Sequence, residues 1–198
     1  TQVLEGDSAG FPKNVLTLLR DADRLARAIR KRRLQDGMLV LALPEIELRF
    51  DDDGRVVGAE PADTSFSHTI IEMFMVEANE AVARLFVDQQ VPHLRRVHPD
   101  PDPAAAEGLQ KFLKAVGLTA PKDLDRHALQ SLLDFVKGRP EGFAVNLAVL
   151  RSLSEAVYSP ELTGHYALAS QHYAHFTSPI RRYPDLTIHR LLNRFLEG

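Results

Sequence analysis

Apolar positions in the first part of the chain follow two different periods. Val15, Leu18, Leu19, Ala22, Leu25, Ala26 and Ile29 recur at three- and four-residue spacing, which predicts an amphipathic helix over about 12–35. Pro12 suits its first turn and Gly37 its end, while Arg20, Asp23, Arg24, Arg27 and Arg30 make the opposite face charged. Residues 39–50 then read as a strand, 51–54 as its turn and 55–59 as the returning strand. A long helix over about 66–89 follows, with Ser65 or Ser67 as its cap and Phe66, Ile70, Phe74 and Val82 on its apolar face.

The stretch His98-Pro-Asp-Pro-Asp-Pro103 is a punctuated loop. Three helices are expected after it, over about 103–116, 125–137 and 141–155, the first two separated by Gly117 and Pro121. Their leucines and alanines read as packing rather than chemistry. Tyr158-Ser-Pro160 and Gly164 mark another loop, and 165–169 a short strand. Ser178-Pro179 signals the start of a last helix reaching about Leu196. Pro184 either kinks that helix or marks its true beginning. The class is a helix-rich α+β fold with one β-hairpin in the N-terminal third.

Composition narrows the function. At 198 residues the chain is one domain with a real core, or a large part of a bigger one. With 44% hydrophobic and 26% charged residues it is of ordinary folded composition. No apolar run approaches the roughly 20 residues of a membrane helix. The start at Thr1 has neither the basic nor the apolar stretch of a signal peptide, so a cytoplasmic location is expected. The missing initiator Met fits Met removal or a piece of a longer chain. There is no Cys, which excludes disulfides and thiolate metal sites.

A net charge of −3 argues against nucleic-acid binding by bulk charge. The positive charge is nonetheless concentrated: over 165–194, Arg181, Arg182, Arg190 and Arg194 stand against one acid, Asp185, with four histidines beside them. Within this stretch Thr177, Ser178, Arg181 and Arg182 cluster at a helix start. Free N–H groups, hydroxyls and forked guanidiniums there suit a phosphate. Tyr166, Tyr173, Phe176 and Tyr183 add rings on which single-stranded bases could stack. An ordinary helix start with a surface Arg pair fits the same residues. Asp51-Asp-Asp-Gly54 has carboxylates enough for Mg²⁺, but between two strand-like runs it reads as a solvated turn. His172 and His175 have a spacing that can serve zinc, but nothing fixes a third ligand.

The segment His175-Phe-Thr-Ser-Pro-Ile-Arg-Arg-Tyr-Pro-Asp-Leu-Thr-Ile-His-Arg-Leu-Leu192 closely resembles a signature of the RNase II/RNase R (RNB) family. Ile70-Ile-Glu-Met-Phe-Met-Val-Glu-Ala-Asn-Glu-Ala-Val-Ala83 resembles the family's long central helix. Arg32-Arg33 with Asp36-Gly37 and Leu43-Pro-Glu45, and Tyr158-Ser-Pro160 with Gly164-His165, are weaker matches in the family's order. The resemblance implies that residues 1–198 are the back portion of a mixed α/β RNB catalytic domain. It further implies processive 3′→5′ hydrolysis of single-stranded RNA to nucleoside 5′-monophosphates, assisted by Mg²⁺. The alternative is a non-catalytic RNA-binding or scaffold module of the same fold. Flanking OB-fold or S1-like RNA-binding domains are implied as partners.

By position, the resemblance makes Arg181 the catalytic arginine at the scissile phosphate and Glu72 the carboxylate at the 3′-terminal ribose. Arg182, Thr177, Ser178, His175 and Tyr183 belong to the same RNA-binding stretch. Read without the family, Glu72 is a solvated helix residue, and Arg182 pairs with an acid to fix the loop. His175 and Thr177 orient the loop. Asn79, two turns along from Glu72, either supports the site or caps a buried network.

Three departures from the family pattern matter. The aspartate run D-x₅-D-x-D-D that holds the metals does not occur in these residues, so the metal ligands are expected upstream of Thr1, leaving this stretch inactive alone. No aromatic lies in 38–43, where some members clamp bases. Met73 stands where several members carry a second Glu.

Overall fold

The computed structural model describes residues 3, 4, 6, 10–121 and 123–197. Helix α1 spans Lys13–Gln35, and α2 spans Phe66–Asp88. Between them a hairpin pairs β1 (Ile46–Phe50) with β2 (Val56–Pro61). A second, small antiparallel pair joins β3 (Arg95–Val97) to β4 (Val157–Ser159). Helices α3 (Pro103–Ala115), α4 (Arg126–Phe135) and α5 (Gly142–Ser152) lie between those two strands in sequence, and α6 (Tyr183–Glu197) closes the chain. The class is the expected helix-rich α+β fold.

Local chemistry sets the helix ends. Gly37 stops α1 with φ +100°, while its N–H donates to Leu34 O at 3.2 Å and Met38 N–H donates to Arg33 O at 2.9 Å. That pairing satisfies carbonyls the last turn would leave open. Asp102 and Asp125 cap α3 and α4, each accepting a backbone N–H at 2.8 Å, and Pro103 occupies the first position of α3.

Helix α2 is the spine of the fold. Its first half packs Ile70 and Met73 on Ala26 of α1 and on Met38. Its second half packs Ala83 and Phe86 on Ala174 and on Ile188 of α6. Met73, where the resemblance calls for a second Glu, is therefore core. A polar tie joins the two long helices, because buried Arg33 binds both Glu77 and Glu80 while Arg32 binds Glu77. Burial pushes the Glu77 carboxyl up, but the hydrogen bonds and charges of the two arginines outweigh it and leave its pKa below the usual value. A separate core of Leu109, Leu113, Leu129, Leu133, Val145 and Val149 holds α3, α4 and α5 together.

Three expectations need correction. The first strand of the hairpin is shorter than expected, because 39–45 is not strand. Leu39 N–H donates to Ala167 O at 2.8 Å and Ala42 N–H to Asn146 Oδ1 at 2.7 Å. Pro44 has no N–H to give a ladder. The strand expected at 165–169 is a 3-10 turn at Tyr166–Leu168, ended by Ala169 at φ +51°. Only His165 makes isolated bridges, to His98 and Ser170. Residues 157–159, read as loop, form β4 against a strand that three-residue periodicity could not reveal. The last helix starts at Tyr183, so Pro184 sits in its first turn and does not kink it.

Candidate functional site

The loop from His172 to Arg182 is held from two sides. From α2, buried Asn79 donates through Nδ2 to Tyr173 Oη at 3.0 Å. Its Oδ1 accepts the N–H groups of Phe176 at 2.8 Å and Thr177 at 3.1 Å. From α6, Asp185 is 0% exposed, and its Oδ1 accepts Ser178 N–H and an Arg182 Nη, each at 2.8 Å. Two buried side chains thus pin three successive amides. Ser178 O closes the turn by accepting the N–H groups of Arg181 and Arg182 at 3.3 and 3.1 Å. His189 Nε2 donates to Phe176 O at 2.9 Å, and the two rings stack 4.3 Å apart.

This geometry revises the phosphate reading. The amides of Thr177 and Ser178 are spent on Asn79 and Asp185, so they are not open to a ligand. Arg182 is spent on Asp185, and its expected alternative role of fixing the loop is what the contact does. Arg181 is different: its side chain is exposed, and among the described residues no carboxylate lies within ion-pair range of it. Ile180 beside it is fully exposed at 102%, and Tyr183 is exposed as well. A rigid backbone therefore presents one unencumbered guanidinium at its tip. Thr177 Oγ1, Arg182 Nε and Asp185 Oδ2 are buried with no partner among the described residues, so the loop keeps hydrogen-bonding capacity that its own side chains do not use.

His175 places Nδ1 2.7 Å from Tyr158 Oη. Burial, then the charge of Arg182, lower its pKa to about 4, against an opposing push from Asp185 and with further lowering by Arg96 and Arg181. His165 is lowered to about 3, first by burial and then by His98, Arg96 and His175. Both are neutral near pH 7. Glu72 is exposed on α2, two turns or roughly 10 Å along the axis from Asn79. No hydrogen bond or ion pair joins it to the loop, so the described contacts bring together Asn79, Asp185 and residues 175–182 but not Glu72.

The two roles open to Asn79 from its sequence position are one in the structure: it caps a buried network, and that network is the loop. In the sequence Asp185 reads merely as a charge against four arginines. Its position three residues after Arg182, in a first helical turn, was the available signal. Nothing in the sequence joined Arg96 to this region.

The described residues do not fit a metal. Asp51 Oδ1 accepts the N–H groups of Asp53 and Arg55 at 3.0 and 2.8 Å, and Asp53 lies 3.7 Å from the Arg55 guanidinium. These aspartates build an exposed turn, and no group of three His, Cys, Asp or Glu among the described residues is arranged to hold an ion. No described helix is long and apolar enough to cross a membrane.

Comparison with known proteins agrees with the resemblance. The chain is 40% identical over 190 residues to ribonuclease R of Aquifex aeolicus, covering 95% of the chain and 27% of that protein. It is 40% identical over 183 residues to ribonuclease R of Thermotoga maritima, covering 91% of the chain and 26% of that protein. Thus it spans about a quarter of the length of these curated relatives. Among solved structures, Mycoplasma genitalium RNase R in complex with double-stranded RNA superposes with a TM-score of 0.92 at 31% identity, covering 98% of this chain and 35% of that one. A family model described as the RNB domain matches residues 1–198, and the chain accordingly belongs to the RNB-domain family.

Proposed function

We propose that these residues form the back of the catalytic domain of a processive 3′→5′ exoribonuclease acting on single-stranded RNA in the cytoplasm. Each cycle releases a nucleoside 5′-monophosphate and leaves a new 3′-hydroxyl. The observation that carries this reading is Arg181: exposed, without an acidic partner among the described residues, and mounted on a turn fixed by Asn79 and Asp185. A guanidinium carried on so fixed a backbone meets non-bridging phosphate oxygens at the cost of its own side-chain freedom alone, and stabilises the charge that grows on them in the transition state. Glu72 accepts from the terminal 2′-hydroxyl, which favours RNA over DNA. Ser178, Thr177, His175, Arg182 and Tyr183 shape the surface around the terminal nucleotide. The Mg²⁺ implied by the resemblance would be held by aspartates outside these residues, and flanking OB-fold or S1-like domains would guide the strand.

The test uses the full-length protein with Mg²⁺ and a 5′-labelled single-stranded RNA. Arg181→Ala should lower turnover about 100-fold or more while RNA affinity changes only a few-fold, because binding is spread along the strand and this contact acts at the reacting phosphate. Equal losses in both would remove Arg181 from its role. RNA binding without turnover by the unaltered full-length protein would favour the non-catalytic module instead.

A further inference from the structure

Arg96 carries a second free positive charge into the same region. It lies on β3, far in sequence from the loop. Its N–H donates to Tyr173 O at 3.0 Å, which ties the strand to the segment leading into Thr177 and Arg181. Its cross-strand partner is Tyr158, and its guanidinium carbon lies 4.9 Å from the centre of the Tyr158 ring. The Tyr158 hydroxyl is in turn bound to His175. A continuous chain of contacts therefore runs from Arg96 through Tyr158 to His175, two residues before Thr177. Arg96 and Arg181 both lie near enough to His175 to act on its charge. Among the described residues no carboxylate pairs with Arg96.

A structural stack alone would use only the face of the guanidinium, and such a contact contributes about 0.5–1 kcal/mol at an exposed site. The guanidinium N–H groups of Arg96 are not among the buried, unpartnered atoms and so stay open to an acceptor from outside. Stacking on a ring holds the guanidinium plane in place and leaves those edges for an acceptor, and a planar fork matches phosphate oxygens. Resting on the RNA reading above, we propose that Arg96, held over Tyr158, is a second phosphate-binding arginine of this site. It meets the RNA backbone at a nucleotide other than the one whose phosphate Arg181 takes.

The experiment measures binding of the full-length protein to a fluorescent oligouridylate without Mg²⁺, over a series of salt concentrations. Arg96→Gln removes the charge and leaves a shorter, neutral polar side chain. It should flatten the slope of log affinity against log salt by about 0.7, the contribution of one phosphate on a single strand. Arg96→Lys should keep the wild-type slope, and Arg20→Ala on the exposed face of α1 should leave it unaltered. Far-UV circular dichroism checks that each variant is folded, and the Gln and Lys pair separates charge from packing. Identical slopes for Arg96→Gln, Arg96→Lys and the unaltered protein would overturn the proposal and make Arg96 a structural stack, even if Arg181→Ala still abolished turnover. Absence of RNA binding by the unaltered protein would instead sink the functional reading and this inference with it.

Discussion

Asn79 Oδ1 and the Thr177 amide nitrogen lie 3.1 Å apart, although 98 positions separate them in sequence. The same oxygen also accepts from Phe176, and the amide nitrogen of Asn79 reaches Tyr173. One side chain on the central helix thus fixes the loop that carries Arg181. Asn79→Ala would strip one buried and two part-buried hydrogen bonds and leave two amides without a partner. The expected loss is about 2–4 kcal/mol. Asn79→Asp keeps the acceptor for both amides and can accept from the tyrosine hydroxyl, so it should lose much less. The chain has no Trp. Urea unfolding is therefore best followed by far-UV circular dichroism, and a midpoint for Asn79→Ala equal to wild type would contradict the assignment.

Two neighbouring arginines should behave in opposite ways. Arg182 balances the fully buried Asp185 carboxylate, and its removal leaves that charge uncompensated. Because the Arg182 side chain retains 24% exposure, the expected destabilisation is about 2–3 kcal/mol, below the range of a wholly dry pair. Arg181 touches no acid among the described residues, and Arg181→Ala should change stability by no more than about 0.5 kcal/mol. Under the proposed function its cost appears in turnover instead. Unfolding midpoints and turnover of the two alanine variants test the contrast. A destabilised Arg181→Ala with a neutral Arg182→Ala would invert it.

Glu72 makes a separate prediction, since no contact ties it to the loop. Glu72→Ala should leave the unfolding midpoint within about 0.5 kcal/mol of wild type. In the full-length protein it should weaken discrimination between a 3′-terminal ribose and a deoxyribose. Cleavage rates on two oligonucleotides differing only in that sugar measure the ratio, and an unchanged ratio would argue against the ribose contact.

Acid should destabilise the fold through its histidines. His175 and His165 have folded-state pKa values of about 4 and about 3, below the usual 6.5. Burial also lowers His93 and His98. The unfolded chain therefore binds more protons than the folded one between these values and 6.5. The resulting stability is fully present above pH 6.5 and is lost as pH falls toward 4 and then 3. At pH 5, unfolding should take up about two protons from His165 and His175 alone. Urea midpoints should stay nearly level from pH 7.5 to about 6.5 and fall from there to pH 5, and a profile flat down to pH 5 would show that these imidazoles are not held neutral.

How far the sequence revealed this arrangement depended on the range of each interaction. Helices α1 to α5 were legible because their periodicity and end signals are local, as at Pro12, Gly37 and Gly117, although the caps at Asp102 and Asp125 were not read from the sequence. The loop that carries Arg181 was legible as a unit because its motif is written in consecutive residues. The segment 39–45 misled because its apolar residues suit a strand, while its hydrogen bonds go to Asn146 and Ala167. The pair β3 and β4 was invisible: three residues carry no period, and Arg96 meets Tyr158 only across the sheet. For the same reason the free amides expected near Ser178 are already occupied, since Asn79 comes from another helix and Asp185 lies within the motif, where its burial could not be read.

Glycines with similar backbone angles should differ in how well they tolerate a side chain. Gly54 and Gly164 have φ of +77° and +79°. Around Gly54, in the exposed hairpin turn, a Cβ would meet nothing within 4 Å. Gly54→Ala should therefore cost only the left-handed strain, about 1 kcal/mol. At Gly164 the added carbon would lie 2.9 Å from the Ser170 carbonyl oxygen, a backbone atom that already accepts from His165 at 2.7 Å. Gly164 O also accepts from His98 N–H at 2.9 Å, so the residue cannot shift without breaking the link between the two histidines. Gly164→Ala should thus lose the strain energy and part of this bonding, about 2–4 kcal/mol in all. Equal unfolding midpoints for the two variants would mean that the turn at His165 yields more readily than its hydrogen bonds imply.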